Sequence, residues 1–154
     1  MLERIFPKSL DNDFRGWRSG LWAFGAVMAM KSLQSVMIIL NGWTTVERAD
    51  GMPLETYPPE AAQNIVAIFA ISSLWRLTVC AVAAIVLIRY RSAVPLMLLV
   101  FILNYLAAQL LNLWTPLIKT GNPPGTLVNL GVFGLMVVGF VLSVSRRSAE
   151  SRST

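Results

Sequence analysis

The chain has 154 residues, of which 55% are hydrophobic and 14% charged, with a formal net charge of +5. Soluble domains carry about 25% charged residues. Here the charges cluster in short segments between long apolar runs, which is how bilayer-spanning segments read. There is no histidine and one cysteine, Cys80. An internal disulfide, a multi-cysteine metal site and histidine-based acid–base chemistry are therefore excluded.

The pattern predicts an all-α integral membrane protein, a four-transmembrane-helix bundle with both termini in the cytoplasm. Residues 1–19 form a cytoplasmic N-terminal segment. They hold Glu3, Pro7, Asp11 and Asp13, which do not fit a cleaved signal peptide, so the first apolar run is expected to remain as an anchor. Within this segment Leu10, Phe14 and Trp17 share one helical face behind a capping Ser9. Residues 9–17 therefore read either as a short interfacial helix or as an irregular tail.

The transmembrane domain is expected over 20–145, with spans at about 20–41, 63–88, 94–114 and 126–145. Each is near the ~20 residues that cross about 30 Å of hydrocarbon. Trp22 and Trp43 bracket the first span as interfacial aromatics do. The long connection 42–62 ends in Tyr57-Pro58-Pro59-Glu60, a helix start with proline in the first turn and an acid at the positive end of the dipole. The short link Arg89-Tyr90-Arg91-Ser92 predicts a tight antiparallel hairpin of spans two and three. Gly121-Asn122-Pro123-Pro124-Gly125 is a breaker before span four. Residues 146–154 form a C-terminal tail.

Cations are distributed unequally between the two sides of such a topology. Nine lie on the terminal side: Arg4, Lys8, Arg15, Arg18, Arg89, Arg91, Arg146, Arg147 and Arg152. Two, Arg48 and Lys119, lie on the other, together with Glu47, Asp50, Glu55 and Glu60. The positive-inside rule places both termini in the cytoplasm and fits a bacterial inner membrane. The basic residues flank hydrophobic segments, so they report orientation and anionic headgroups rather than a nucleic-acid footprint.

Two cations remain inside the spans, Lys31 and Arg76. A cation at the centre of a transmembrane helix costs about 2.5–3.5 kcal/mol on insertion scales. No Asp or Glu lies in any expected span. Internal pairing is closed unless Glu47, Asp50, Glu55 or Glu60 folds inward. The alternatives are snorkelling of Lys31, hydrogen bonds to helix carbonyls and amides, acids of a partner subunit, or an anion such as a lipid phosphate.

Neutral polar residues extend these stripes. Lys31, Gln34, Ile38 and Asn41 share a face of span one. Ser72 and Arg76 are one turn apart on span two, and Tyr105, Gln109 and Asn112 line span three. All are expected to face the bundle interior, where plain interhelical hydrogen bonding competes with a functional role. Trp75 points about 100° away from Arg76 and is expected to pack on another helix or a partner rather than stack on the guanidinium. Close crossings are expected at Gly25 and Ala29, at Gly131 and Gly134, and at Gly139.

The candidate contact site for an anion, lipid or partner is thus Lys31, Arg76, Gln34, Trp75, Tyr105, Gln109 and Asn112. No catalytic set, cofactor fingerprint, metal cluster or phosphate loop is present. The expected role is a structural or accessory subunit of a larger membrane complex, acting through helix–helix and lipid contacts. Its partners would be membrane lipids, anionic ones included, and other membrane subunits or further copies of the chain. The alternative is a small oligomeric transporter or channel with a cationic mid-membrane site for an anionic or amphipathic solute.

Overall fold

A computed structural model describes residues 5–145. Arg4, Arg146, Arg147 and Arg152, which carry part of the orientation argument, lie outside the described residues. The four long helices are α1 (Arg18–Leu40), α2 (Pro59–Arg89), α3 (Val94–Trp114) and α4 (Pro124–Val144). All four are long and apolar enough to cross a membrane. Among the described residues there is no strand.

Proline fixes the start of three helices. α2 begins at Pro59 with Glu60 in its first turn, and α3 and α4 each carry proline within their first two positions. The missing proline N–H is one that a helix start leaves unbonded anyway. The two described ends and the 89–93 link lie at one face of the bundle, the terminal face. Trp17 N donates to the carbonyl of Leu142 at 3.1 Å, which ties the entry of α1 to the exit of α4. The connections 41–58 and 115–123 lie at the opposite, loop face.

α1 is the central helix. It packs along both α2 and α4, and α3 packs on α4. The main core forms where these helices meet, from Phe24, Val27, Ala83, Val94, Leu98, Phe101 and Met136. The α1–α4 crossing is close because glycine permits it. A Cβ on Gly16 would collide with the backbone of Ser143. One on Gly20 would stand 3.2 Å from Ser143 N, and one on Gly139 would stand 3.1 Å from Ala23 Cβ. Gly131 and Gly134 face open space instead, Ala29 is exposed, and Gly25 makes only ordinary contact with Leu87 at 3.7 Å. Of the crossings expected from small residues, only Gly139 makes one.

A further expectation is corrected. α2 and α3 do not form a tight hairpin. They touch near the 89–93 link, while α1 takes the face of α2 that an adjacent α3 would need. The 3₁₀ turn Arg91–Ala93 redirects the chain between them. Of the two readings of residues 9–17, the irregular tail is the one found. The tail is pinned under the bundle by Ser92: Asp11 N donates to Ser92 Oγ, which donates to Asp11 O, both at 3.0 Å. Asp11 and Asp13 also attract Arg15, at 4.0 and 3.7 Å. Nine residues alone are marginal as a helix, and these side-chain and backbone contacts offer the chain another conformation.

The loop face has its own small core. Val46, Met52, Leu54 and Ala62 are buried against Tyr57, Ile65, Val66 and Phe69. A π-helical segment, Thr45–Ala49, leads into Gly51, whose positive φ of 73° makes the turn. Thr120 donates to Gly51 O through both its N–H, at 2.8 Å, and its hydroxyl, at 3.0 Å. The two loops are thereby clasped over the end of the bundle.

Candidate functional site

The register of α1 against α2 is set by two contacts. Gly25 lies against Leu87 Cδ2, and a Cβ on Gly42 would meet Val66 Cγ1 at 2.8 Å. Between these points Lys31 falls near the level of Val79 and Cys80, and Arg76 stands about one turn nearer the loop face. Lys31 stands 13 residues inside Arg18, and Arg76 stands 13 residues inside Arg89. At 1.5 Å per residue each lies about 20 Å from the terminal-face end of its own helix, and α1 extends further toward that face than α2, since it is Gly25 that meets Leu87. Arg76 and Cys80 are the groups within electrostatic reach of Lys31. Both cations are half-buried. Neither the Lys31 ammonium nor the Arg76 guanidinium has a hydrogen bond or close ion pair among the described residues.

The acid nearest to this pair comes from the loop. Asp50 follows the π-helical segment and lies within electrostatic reach of both Lys119 and Arg76. Its Oδ1 lies 3.4 Å from where a Cβ on Gly125 would sit. That places the carboxylate over the first turn of α4, where the helix dipole favours negative charge. Burial pushes the Asp50 carboxyl above its ordinary pKa, against the opposing pull of Lys119 and then Arg76. Asp50 is thus the inward-folded loop acid that pairing would require, although it makes no close ion pair among the described residues.

A polar lane connects Asp50 to the cations. Asn129 lies one turn below Gly125 on α4, and its Oδ1 accepts a long, weak hydrogen bond from Gln34 Nε2 at 3.4 Å. Gln34 is one turn above Lys31 on α1. Asn129 was not among the sequence candidates, because one amide in an apolar helix looks no different from interhelical glue. Two serines flank the pair. Ser35 is buried and its hydroxyl donates to Lys31 O at 2.9 Å. Ser73, three residues before Arg76, is 1% exposed, and its hydroxyl has no hydrogen-bond partner. Buried hydroxyls ordinarily have a partner, so this one calls for an explanation.

The other candidates are placed elsewhere. Tyr105 stacks on Phe133 with ring centroids 4.4 Å apart. Gln109 is exposed on α3, and Asn112 is exposed with its Oδ1 accepting from Leu117 N at 3.1 Å, a local turn contact. Neither faces the bundle interior, because the splaying of α3 from α2 leaves the loop-side half of α3 unpacked. Trp75 is 71% exposed, and it contributes nothing to the interior of this chain. Ser72 also points outward, its hydroxyl donating to Ile68 O at 2.8 Å. Ile38 is buried as its stripe requires, while Asn41 is exposed. The sequence-predicted site therefore divides into an α1–α2–α4 group with Lys31, Arg76 and Gln34, Tyr105 between α3 and α4, and an outward-facing set of Trp75, Gln109 and Asn112.

Among the described residues no group of His, Cys, Asp or Glu could hold a metal ion. No protein-family model matches the chain, and comparison with curated proteins and with solved structures finds no match to either.

Proposed function

We propose that this chain is a small multi-pass subunit of a membrane complex, working through helix–helix and lipid contacts. It sits in a bacterial inner membrane with both ends in the cytoplasm. The orientation rests on the nine-to-two distribution of cations.

One observation carries the reading. From Leu106 through Trp114 every residue of α3 is exposed, so this half of the helix has no packing partner within the chain. Its surface includes Gln109, whose amide carries donors and acceptors that hydrocarbon cannot satisfy. Interhelical hydrogen bonding from such a residue contributes about 0.6 kcal/mol on average, and packing of the flanking leucines adds to it. A helix from another subunit, or from a second copy, meets both needs. The outward Trp75 on α2 offers a second apolar contact of the same kind.

A photo-crosslinking residue at position 109, activated in intact membranes, tests this. The expected product is a defined adduct to a membrane protein or to a second copy of the chain. Adducts to lipid alone, together with a monodisperse monomer in mild detergent, would overturn the reading.

A further inference from the structure

We infer that Lys31 and Arg76, with the Ser73 hydroxyl between the same two helices, form a binding site for a phosphate group within the bundle.

The first support is charge. Two cations stand about one turn apart in level on packed helices, and each is half-buried without a hydrogen bond or close ion pair among the described residues. They lie within electrostatic reach of each other, so in hydrocarbon they raise each other's energy as well as their own. An anion placed between them reverses both terms. Asp50 reaches only Arg76 of the two and also answers to Lys119, so it leaves the pair under-compensated.

The second support is independent of charge. Ser73 is on the same face of α2 as Arg76, one turn away, and its buried hydroxyl lacks a partner. A phosphate oxygen is an acceptor that this hydroxyl can serve. The ligand class follows from the donor set. A guanidinium offers a planar fork that matches two oxygens of one phosphate, and an ammonium adds a point charge to a third. A hydroxyl donor completes a coordination of tetrahedral oxygens rather than of a simple halide.

Gln34 and Asn129 continue the polar residues from Lys31 toward Asp50 on the loop side of the pair. The site does not depend on the subunit reading above, and the crosslink at position 109 is indifferent to it.

The test is thermal unfolding of the full chain in neutral maltoside detergent, with increasing inorganic phosphate in one arm and phosphatidylglycerol in the other. A ligand that binds only the folded state raises the melting temperature with concentration. We expect such a rise in at least one arm, abolished in Arg76→Gln and in Lys31→Gln, and kept in Arg89→Gln. A rise with inorganic phosphate shows that a free oxyanion suffices, and a rise with the lipid alone shows that the phosphate belongs to a headgroup. No rise in either arm, or the same rise in Arg76→Gln, would overturn the inference. Should the charge variants fail to fold, Ser73→Ala keeps both cations and is expected to weaken binding roughly tenfold. Unchanged affinity in that variant would count equally against the site.

Discussion

Asp50 reaches from the first loop to within electrostatic range of Arg76, two residues that lie 26 positions apart on either side of a helix start. The loop acid comes down toward the cation because the Gly51–Thr120 clasp draws the two loops over the bundle end.

This arrangement makes stability depend on pH in a stated direction. Burial, the largest influence, raises the Asp50 pKa above its unfolded value of 3.8. The folded state then binds that proton more tightly than the unfolded chain does. The contribution is complete below pH 3.8 and is lost as pH rises through the raised folded value. Asp50→Asn should remove this dependence. Its melting temperature should exceed that of the wild type at pH 7 and converge with it near pH 3.5. A variant less stable at pH 7 would mean that attraction to Lys119 and Arg76 outweighs the burial of the carboxylate.

The glycine crossing of α1 and α4 predicts a contrast within one residue type. Gly16→Ala forces a methyl group against the Ser143 backbone and should destabilise by about 1–3 kcal/mol. Gly131→Ala and Gly134→Ala meet nothing within 4 Å and lie inside a helix. They should be neutral or stabilising by up to about 1 kcal/mol. Unfolding in mixed micelles would read all three, and equal losses would show that the close approach is at another level.

The tail should come loose when its pin is removed. Ser92→Ala deletes both side-chain hydrogen bonds to Asp11 while Ser92 N, 3.2 Å from Asp11 O, is retained. A net hydrogen bond contributes roughly 1 kcal/mol, so exchange of the Asp11 amide should quicken by about tenfold. The exchange of amides in α4 should not change. Unaltered protection at Asp11 would mean that Trp17 and Leu142 hold the tail without help.

The four helices were legible because their signal is a sum over about twenty apolar residues each. The breakers were legible for a different reason: proline at the start of α2, α3 and α4 acts through its own covalent geometry. What the pattern could not reveal is which helices pack together. A short link brings chain ends close, but α1 fits α2 better than α3 does, so the expected hairpin opened and Gln109 and Asn112 turned outward. In a chain this apolar all round, periodicity also says little about which side faces protein. Hence Gly131 resembled Gly139 in sequence and differs from it in space. Lys31 and Arg76 were evident as costly residues, and counting from Trp22 and Arg89 put them about 13 Å and about 20 Å deep, near enough to be neighbours. Which of the four loop acids turns inward, and that Asn129 and Ser73 join the site, depends on the loop clasp and on the packing of α1 against α4 and α2, which are contacts between distant parts of the chain.

The convergence of Lys31 and Arg76 is the claim on which the rest depends. It is tested by the distance between spin labels at positions 31 and 76, in a Cys80→Ser background reconstituted into liposomes. Helices in direct contact have axes about 8–10 Å apart. With the labels about one turn apart in level, a single narrow distribution centred below about 20 Å is expected. A broad distribution, or one centred beyond about 30 Å, would contradict the approach of the two cations.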